Sequence, residues 1–302
     1  MPENRLLKAE SDVTSLAFSK DGRSLATFSR DGDIRVWNIA SSSVTQTFKR
    51  DKGDSSPSFL AARGQFALIG SDGQAKIRDL ESGAVIRSLQ LPAPKVSGLS
   101  STEDGKTLAG GGKDPASVSA NLLRVWDSDG KQRFQVPAGI GGLSAMIFSP
   151  DGQTLIAAAY DTDVRVWNAR NGELVKVMED MTVAMFDLAY SPDGKLLAAA
   201  GVDRTIYLWD AKAWKLLRTI TGQPEMISAL EFSPDGKFLV TGGMNEMAFG
   251  APVKVIVWDV ASGKPVRTEE AEHRVNTVAF SPDGKWFAAA DGSKLVKLWA
   301  VR

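Results

Sequence analysis

The chain has 302 residues, of which 43% are hydrophobic and 24% are charged, as in an ordinary globular protein. Its 36 lysines and arginines balance 36 aspartates and glutamates, so no net charge attracts nucleic acid or an anionic membrane. It has no cysteine, no signal-peptide-like apolar core at its start and no apolar run long enough to span a membrane, so we expect a water-soluble, cytoplasmic protein without disulfides or thiolate metal sites.

The first repeated element is a predicted strand, VTSLAF, from Val13 to Phe18, in which apolar and small polar residues roughly alternate. The turn SKDG follows at Ser19, then a second apolar strand, and then DIRVWN, a third strand that contains Trp37. A fourth strand completes the unit. Asp-Gly suits the positive φ of a tight turn. We therefore predict a four-stranded antiparallel unit, with strands a, b, c and d in chain order.

The same unit recurs along the whole chain. Degenerate copies of the turn stand at Ala61 and Thr102, and SPDG then occurs at Ser149, Ser191, Ser233 and Ser281. Strand c of each unit ends near a tryptophan, except in the second unit, where Arg78 stands at that position. Successive units place this residue 41 to 49 residues apart. These tryptophans are Trp37, Trp126, Trp167, Trp209, Trp258 and Trp299. Seven copies at this spacing indicate a repeat fold.

The SPDG turn, a strand b rich in alanine and glycine, and a closing Trp-Asp or Trp-Asn resemble the WD-repeat family. The resemblance covers essentially the whole chain. It implies an all-β fold, a seven-bladed β-propeller of four-stranded antiparallel blades that serves as an interaction platform. The family's Gly-His dipeptide is absent before strand a, and the only histidine, His273, is slightly out of register. We therefore expect no blade to build the family's full hydrogen-bonded tetrad.

The last unit ends directly after strand c, in LVKLWAVR, and lacks a strand d. The N-terminal segment NRLLKAE, residues 4–10, matches the strand d pattern of the other units. We expect it to complete blade 7 as the outer strand, with Leu6 and Leu7 buried, and so to close the ring. The seven blades then form one domain over residues 1–302. Their approximate ranges, from blade 1 to blade 7, are 13–50, 55–92, 95–138, 141–180, 183–222, 225–271 and 273–302 together with 4–10.

Few residues suit catalysis. Two pairs of carboxylates spaced by two residues lie in b–c turns, and they are Asp31 with Asp33 and Asp161 with Asp163. The further ligands of a calcium loop are missing, which favours turn-forming aspartates. The glycine runs at 110–112 and 139–142 lack a phosphate-binding pattern, and His273 suits a turn or the surface. Small residues in strand b favour close packing of neighbouring sheets over a ligand channel. We predict a non-enzyme without a cofactor or metal.

Blades 3 and 6 are longer than the others, by six or seven residues between strands b and c. The blade 6 insertion, MNEMAFGAP, places three large apolar side chains in what is elsewhere a short turn. In an antiparallel meander the b–c turns and the d–a links lie at the same end of the strands. Both insertions are therefore expected on one face, and insertions in repeat proteins often mark the binding side.

Apolar residues of the neighbouring d–a links are expected on the same face, where adaptable methionines suit partner binding. The predicted site comprises Met181, Met185, Phe186, Met226, Met244, Met247, Phe249, Arg274 and Asn276. Polar residues near the starts of strands a would frame it, namely Asp12, Thr14, Ser144, Ser228, Arg274 and Asn276. Burial of the apolar groups within their own blades is an equal alternative.

The function predicted from these patterns is a non-catalytic scaffold, monomeric, that binds a protein or peptide and neither nucleic acid nor a membrane. The alternative is a small-ligand or sensory module that uses the axial funnel as part of a larger assembly.

Overall fold

The computed structural model describes residues 4–49, 58–60, 64–70, 74–91, 96–113, 120–179, 181–245 and 251–301. Within these ranges the chain forms 28 strands in seven four-stranded antiparallel sheets, and no helix that could cross a membrane is found there. Each sheet is one of the predicted blades. The predicted fold is confirmed as a seven-bladed β-propeller, all-β, with the N-terminal strand in the C-terminal blade.

The chain divides into two compact units, and the first contains residues 1–49 and 189–302. Its blade 1 consists of β2 (Val13–Phe18), β3 (Ser24–Ser29), β4 (Ile34–Asn38) and β5 (Ser43–Phe48). Blade 6 consists of β22 (Met226–Phe232), β23 (Phe238–Met244), β24 (Val253–Asp259) and β25 (Pro265–Ala271). Blade 7 consists of β26 (Val275–Phe280), β27 (Trp286–Asp291), β28 (Leu295–Ala300) and β1 (Arg5–Lys8).

The second unit contains residues 50–188. Blade 2 consists of β6 (Ser58–Leu60), β7 (Gln65–Ile69), β8 (Gln74–Asp79) and β9 (Val85–Gln90). Blade 3 consists of β10 (Val96–Ser101), β11 (Leu108–Lys113), β12 (Ala120–Trp126) and β13 (Gln132–Ile140). Blade 4 consists of β14 (Leu143–Phe148), β15 (Thr154–Ala159), β16 (Val164–Asn168) and β17 (Leu174–Met178). Blade 5 begins here and continues in the first unit, with β18 (Met185–Tyr190), β19 (Leu196–Gly201), β20 (Ile206–Asp210) and β21 (Lys215–Ile220).

The a–b turns have the predicted geometry. The turn glycine has a φ of 67 to 70° in six of the described turns, a conformation that other residues adopt only with strain. Each of these turns also contains a side-chain hydrogen bond, such as the 2.7 Å bond from the Ser191 hydroxyl to the Asp193 carboxylate. This bond, followed by those from Lys195, lowers the pKa of Asp193 to about 2. The SPDG motif is therefore explained by turn formation alone.

Strands b pack closely against the next blade, as their small residues predicted. A Cβ on Gly111 of β11 would lie 2.2 Å from Leu143 of β14, and one on Gly242 of β23 would lie 2.4 Å from Val275 of β26. Any larger residue at either position would force Leu143 or Val275 to move. The small residues are needed for packing between neighbouring sheets.

Blades 1 and 6 contain hydrogen-bonded tryptophans in their cores, which were not predicted from the sequence. In blade 6 the Trp258 indole donates to the Thr241 hydroxyl at 2.8 Å, and that hydroxyl donates to Gln223 at 2.8 Å. Gln223 is buried in the d–a link, so a glutamine stands where the family uses histidine. In blade 1 the Trp37 indole donates to Thr27 at 2.8 Å. These hydrogen bonds stabilise blades 1 and 6 in addition to the apolar packing.

Thr241→Val should lower the free energy of unfolding by about 1–3 kcal/mol, because the isosteric valine leaves the Trp258 indole N–H and the Gln223 amide oxygen buried without their partner. Urea denaturation measures the effect. Thr219→Val is the matched control, since Thr219 is exposed on β21 and the same substitution there should change little. Equal stability of the two variants would show that the blade 6 bonds contribute nothing.

Arginines at equivalent positions of strand d bond to a neighbouring blade. Each guanidinium donates to a backbone carbonyl near the end of that blade's strand c. The pairs are Arg5 with Ala40, Arg218 with Ala261, Arg267 with Ala300 and Arg87 with Ser128. The partners are 33 to 43 residues apart in the chain, about one repeat. These charge-assisted bonds connect blades within each unit, and no local sequence pattern reveals them.

Blade 7 has the predicted closing strand, with one correction. β1 pairs antiparallel with β28, in a register that places Leu7 opposite Val296. Leu7 is 1% exposed and belongs to a core cluster with residues of blades 1 and 7. The expectation that Leu6 is also buried was wrong, since it is 44% exposed. Consecutive side chains of a strand point to opposite faces, so only one of the two leucines can face the core.

Candidate functional site

The structure places the methionines of the predicted site mainly in the interior. Met181, Met185 and Met244 are buried, whereas Phe186 and Met226 are half-buried. Met226 and Met244 lie opposite each other in the pairing of β22 with β23. Met247 and Phe249 lie outside the described residues. For the three buried methionines the structure favours the alternative of local packing, and their part in partner binding is not supported.

Two polar residues of the predicted rim form hydrogen bonds between blades. Asn276 of blade 7 donates to the carbonyl of Val13 in blade 1 at 2.8 Å. Ser228 of blade 6 donates to the carbonyl of Val275 in blade 7 at 2.6 Å. Both side chains tie one inner strand to the next and are half-buried, whereas Arg274 is exposed. Among these three, only Arg274 is free of a structural task in the part of the chain that the structure describes.

Blades 3 and 4 are joined by a short link that holds an isoleucine outward. Gly139, Gly141 and Gly142 all have positive φ, of 102, 82 and 119°. Between them, Ile140 is 54% exposed, and its backbone N–H donates to the Asp161 carboxylate at 3.1 Å. A Cβ on Gly139 would lie 2.6 Å from that carboxylate. The glycines therefore allow a close approach that fixes the backbone of Ile140 to blade 4 while its side chain faces solvent.

The anchor of this link is an ion-pair network in the b–c turn of blade 4. The Arg165 guanidinium bonds to Asp161 through two nitrogens, at 3.0 and 2.9 Å, and to Asp163 at 2.7 Å. Burial by itself raises the pKa of Asp161, but the Arg165 hydrogen bonds and the Ile140 N–H outweigh it, so the pKa lies below its usual value. Asp161 is therefore ionised at neutral pH and holds both the guanidinium and the link.

Tyr160 stands beside the link and is 53% exposed. Its backbone N–H donates to the carbonyl of Gly142 at 3.1 Å, and a Cβ on Gly142 would lie 3.3 Å from its ring. On the other side, the ring lies edge-on to Phe186 with a centroid distance of 6.3 Å. We call Ile140, Tyr160 and Phe186 the Tyr160 patch. It lies at the b–c end of blade 4 and continues to the first strand of blade 5.

Blade 1 has a second network of the same kind. A single nitrogen of Arg35 lies 3.2 Å from Asp31, 3.0 Å from Asp33 and 2.8 Å from Glu10. Asp31 also accepts the backbone N–H of Asp33 at 3.0 Å, which confirms the turn-forming interpretation of this aspartate. The carboxylate pairs thus hold an arginine of their own blade. The pattern Asp-x-Asp-x-Arg, present in both blades, is the sequence signal of these networks and was not used in the prediction.

The repeat pattern and the strand order point to the same class of protein, and comparison with family models agrees. The model described as "WD domain, G-beta repeat" matches residues 3–38, 133–168, 172–210, 214–248 and 263–300, more than half of the chain. The chain belongs to the WD-repeat family. No matched range lies in blade 2, where Arg78 replaces the tryptophan, and blade 3 is matched only from residue 133 onward.

Curated proteins similar to this WD-repeat chain come from several organisms. An uncharacterized WD repeat-containing protein of Synechocystis is 26% identical over 49% of this chain and 41% of its own length. The target of rapamycin complex subunit wat1 of Schizosaccharomyces pombe is 26% identical, over 53% and 52%. The anaphase-promoting complex subunit cdc20 of Dictyostelium discoideum is 24% identical, over 56% and 34%. The matches thus span from about a third to about half of the length of these relatives.

Proposed function

We propose that this WD-repeat chain is a non-catalytic module that binds a protein or peptide partner through the Tyr160 patch. The observation that carries the proposal is the pair of large apolar side chains, Ile140 and Tyr160, that are more than half exposed on a backbone anchored by the Arg165 network. Two of the similar proteins are named as subunits of complexes, which supports a polypeptide as the partner.

The chemistry of the patch suits a polypeptide interface. Aromatic side chains are enriched in the centres of such interfaces, where they supply large apolar contact areas. The backbone of the link is fixed by the Asp161 bond and that of Tyr160 by the Gly142 bond, so little conformational freedom is lost on binding. A rigid aromatic and aliphatic pair is therefore a better anchor than the methionines that the sequence suggested first.

The proposed site shares one end of the strands with the site predicted from the sequence, but it is centred on blade 4 instead of blades 5 and 6. Phe186 was predicted and belongs to the patch, and the b–c and d–a loops remain the proposed binding end. Met247, Phe249 and Arg274 remain predicted contacts of a second sector on blades 6 and 7. A monomeric state, a cytoplasmic location and the absence of nucleic-acid and membrane partners also remain predictions.

Peptides selected on the wild-type protein from a random display library test the proposal. Ile140→Ser/Tyr160→Ser should weaken their binding by at least about tenfold, since each side chain is expected to contribute more than 1 kcal/mol. Fluorescence polarisation measures the dissociation constants. Leu174→Ser/Val175→Ser on β17 is the matched control, because these residues of the same blade are similarly exposed, at 52% and 47%.

Wild-type affinity of the patch variant for every selected peptide would refute the Tyr160 patch as the binding site. Loss of binding in Met247→Ser/Phe249→Ser instead would move the site to the blade 6 insertion. Circular dichroism and thermal unfolding of each variant establish that it is folded before binding is compared.

A further inference from the structure

Blade 3 contains a buried arginine at the position that forms the ion-pair networks of blades 1 and 4. Arg124 lies on β12, two residues before Trp126, and pairs with Gly110 of strand b. Arg35 and Arg165 occupy the same position before Trp37 and Trp167, and they pair with Thr27 and Ala157 of their strands b. The three arginines are thus equivalent by register as well as by sequence.

The two aspartates that pair with the arginine in blades 1 and 4 have no counterpart in blade 3. Arg35 and Arg165 bond to aspartates four and two residues before them, whereas Ala120 and Leu122 stand at those places in blade 3. Arg124 is 3% exposed, and its Nη1 is buried without a hydrogen-bond partner. Among the residues that the structure describes, no carboxylate forms an ion pair with it.

Such a group is costly to the isolated protein. A charge removed from water and left unpaired lowers stability, whereas an apolar residue of similar size would not. Buried polar groups in folded proteins nearly always have a partner, which is an ion, a water molecule or another chain where it is not the protein itself. An acceptor of negative charge that comes from outside the chain would therefore satisfy Arg124.

The geometry points to Arg124 as an anchor for a carboxylate of the partner polypeptide. Blades 1 and 4 show which group this position binds, since the guanidinium groups of Arg35 and Arg165 donate their hydrogen bonds to carboxylates. A guanidinium matches a carboxylate with parallel N–H bonds, and such bonds are among the strongest in proteins. The inference rests on the proposed function in one respect, which is that the molecule bearing the carboxylate is a polypeptide.

Blade 1 also shows that the carboxylate need not come from the same blade. Glu10 belongs to the segment that follows β1, and its side chain is 82% exposed. It nevertheless bonds at 2.8 Å to Arg35, whose side chain is only 6% exposed. An acidic side chain that arrives from solvent can therefore satisfy an arginine at this position. A partner would supply to blade 3 what Glu10 supplies to blade 1.

Thermal unfolding of the protein without a partner tests whether Arg124 is unpaired. Arg124→Met should leave the melting temperature unchanged or raise it, whereas Arg165→Met, which removes a paired guanidinium from the equivalent position, should lower it by several degrees. A decrease in Arg124→Met of more than half that in Arg165→Met would overturn the inference, because it would show a partner within the chain. The same decrease in Asp114→Asn, in the sequence of the blade 3 insertion, would identify that partner.

Binding of two peptide pools tests the carboxylate. The pools are random except for a central glutamate in one and a central glutamine in the other, and both have amidated C-termini. The wild type should bind the glutamate pool at least about tenfold more tightly. Arg124→Met should abolish this preference, and Arg133→Met, at an exposed arginine of the same blade, should keep it. A third pool, without glutamate and with a free C-terminal carboxylate, shows whether the chain end is the preferred source.

The outcomes separate this inference from the proposed function. Equal binding of the glutamate and glutamine pools, lost in Ile140→Ser/Tyr160→Ser, would overturn the carboxylate anchor and leave the Tyr160 patch in place. Binding of neither pool would overturn both. Displacement of the glutamate pool by inorganic phosphate but not by glutarate would also overturn the anchor, since the site would then select phosphate over carboxylate.

Discussion

Leu7→Ala is expected to lower the free energy of unfolding by about 3 kcal/mol, while Leu6→Ala should change it by less than about 0.5 kcal/mol. The two leucines are neighbours on β1, but Leu7 is 1% exposed and Leu6 is 44% exposed. Leu7 packs in a cluster with Val13, Trp37 and Leu298, so its truncation leaves a cavity shared by blades 1 and 7. Urea denaturation measures the free energy of unfolding of the two variants. The comparison shows how much the buried leucine stabilises the protein relative to its exposed neighbour.

Removing residues 1–10 should destabilise the protein more than Leu7→Ala alone. The deletion also removes the pairing of β1 with β28, the bond from Arg5 to Ala40 and the ion pair between Glu10 and Arg35. β28 would become an unpaired edge, which exposes its backbone groups and favours aggregation. A melting temperature that is unchanged by the deletion, or equal effects of Leu6→Ala and Leu7→Ala, would contradict the closure of blade 7 by β1.

The repeated parts of the fold were predictable because their causes are local. The strand VTSLAF was predicted as Val13 to Phe18 and forms β2 with those bounds. The SPDG turns were predicted because glycine at positive φ is a local requirement. Strand alternation and turn geometry act over a few residues, so a single sequence reveals them.

The candidate site was predicted less well because burial depends on which neighbour a side chain meets. Met185 and Phe186 are adjacent on β18, but one is buried and the other half-buried beside Tyr160. Residues 139–142 were judged only against phosphate-binding patterns, although their glycines position Ile140. The equivalence of Arg124 to Arg35 and Arg165 became visible only from the pairing of strands b and c. These relations connect separate strands, which local patterns do not describe.

Arg165→Met is expected to lower the free energy of unfolding by about 3 kcal/mol at neutral pH, because it leaves Asp161 and Asp163 without their cation in a mostly buried turn. The same change should weaken partner binding, since the Asp161 carboxylate that holds the Ile140 backbone loses its support. Arg170→Met is the matched control, at an exposed arginine of the same blade whose loss should change neither quantity.

The pH dependence of this effect identifies its cause. In the wild type the pKa of Asp161 is lowered, so its stabilising contribution is present above the unfolded pKa of about 3.9 and is lost as the pH falls through the folded value. In Arg165→Met, burial without the guanidinium should raise the pKa of Asp161. Protonation of Asp161 at lower pH should then remove the cost of the buried, unpaired charge. The difference in stability between the two proteins should therefore be largest near neutral pH and shrink towards about pH 4. A difference that is constant over this range would assign the loss to side-chain packing, and the Arg165 network would then not be what holds Ile140 outward.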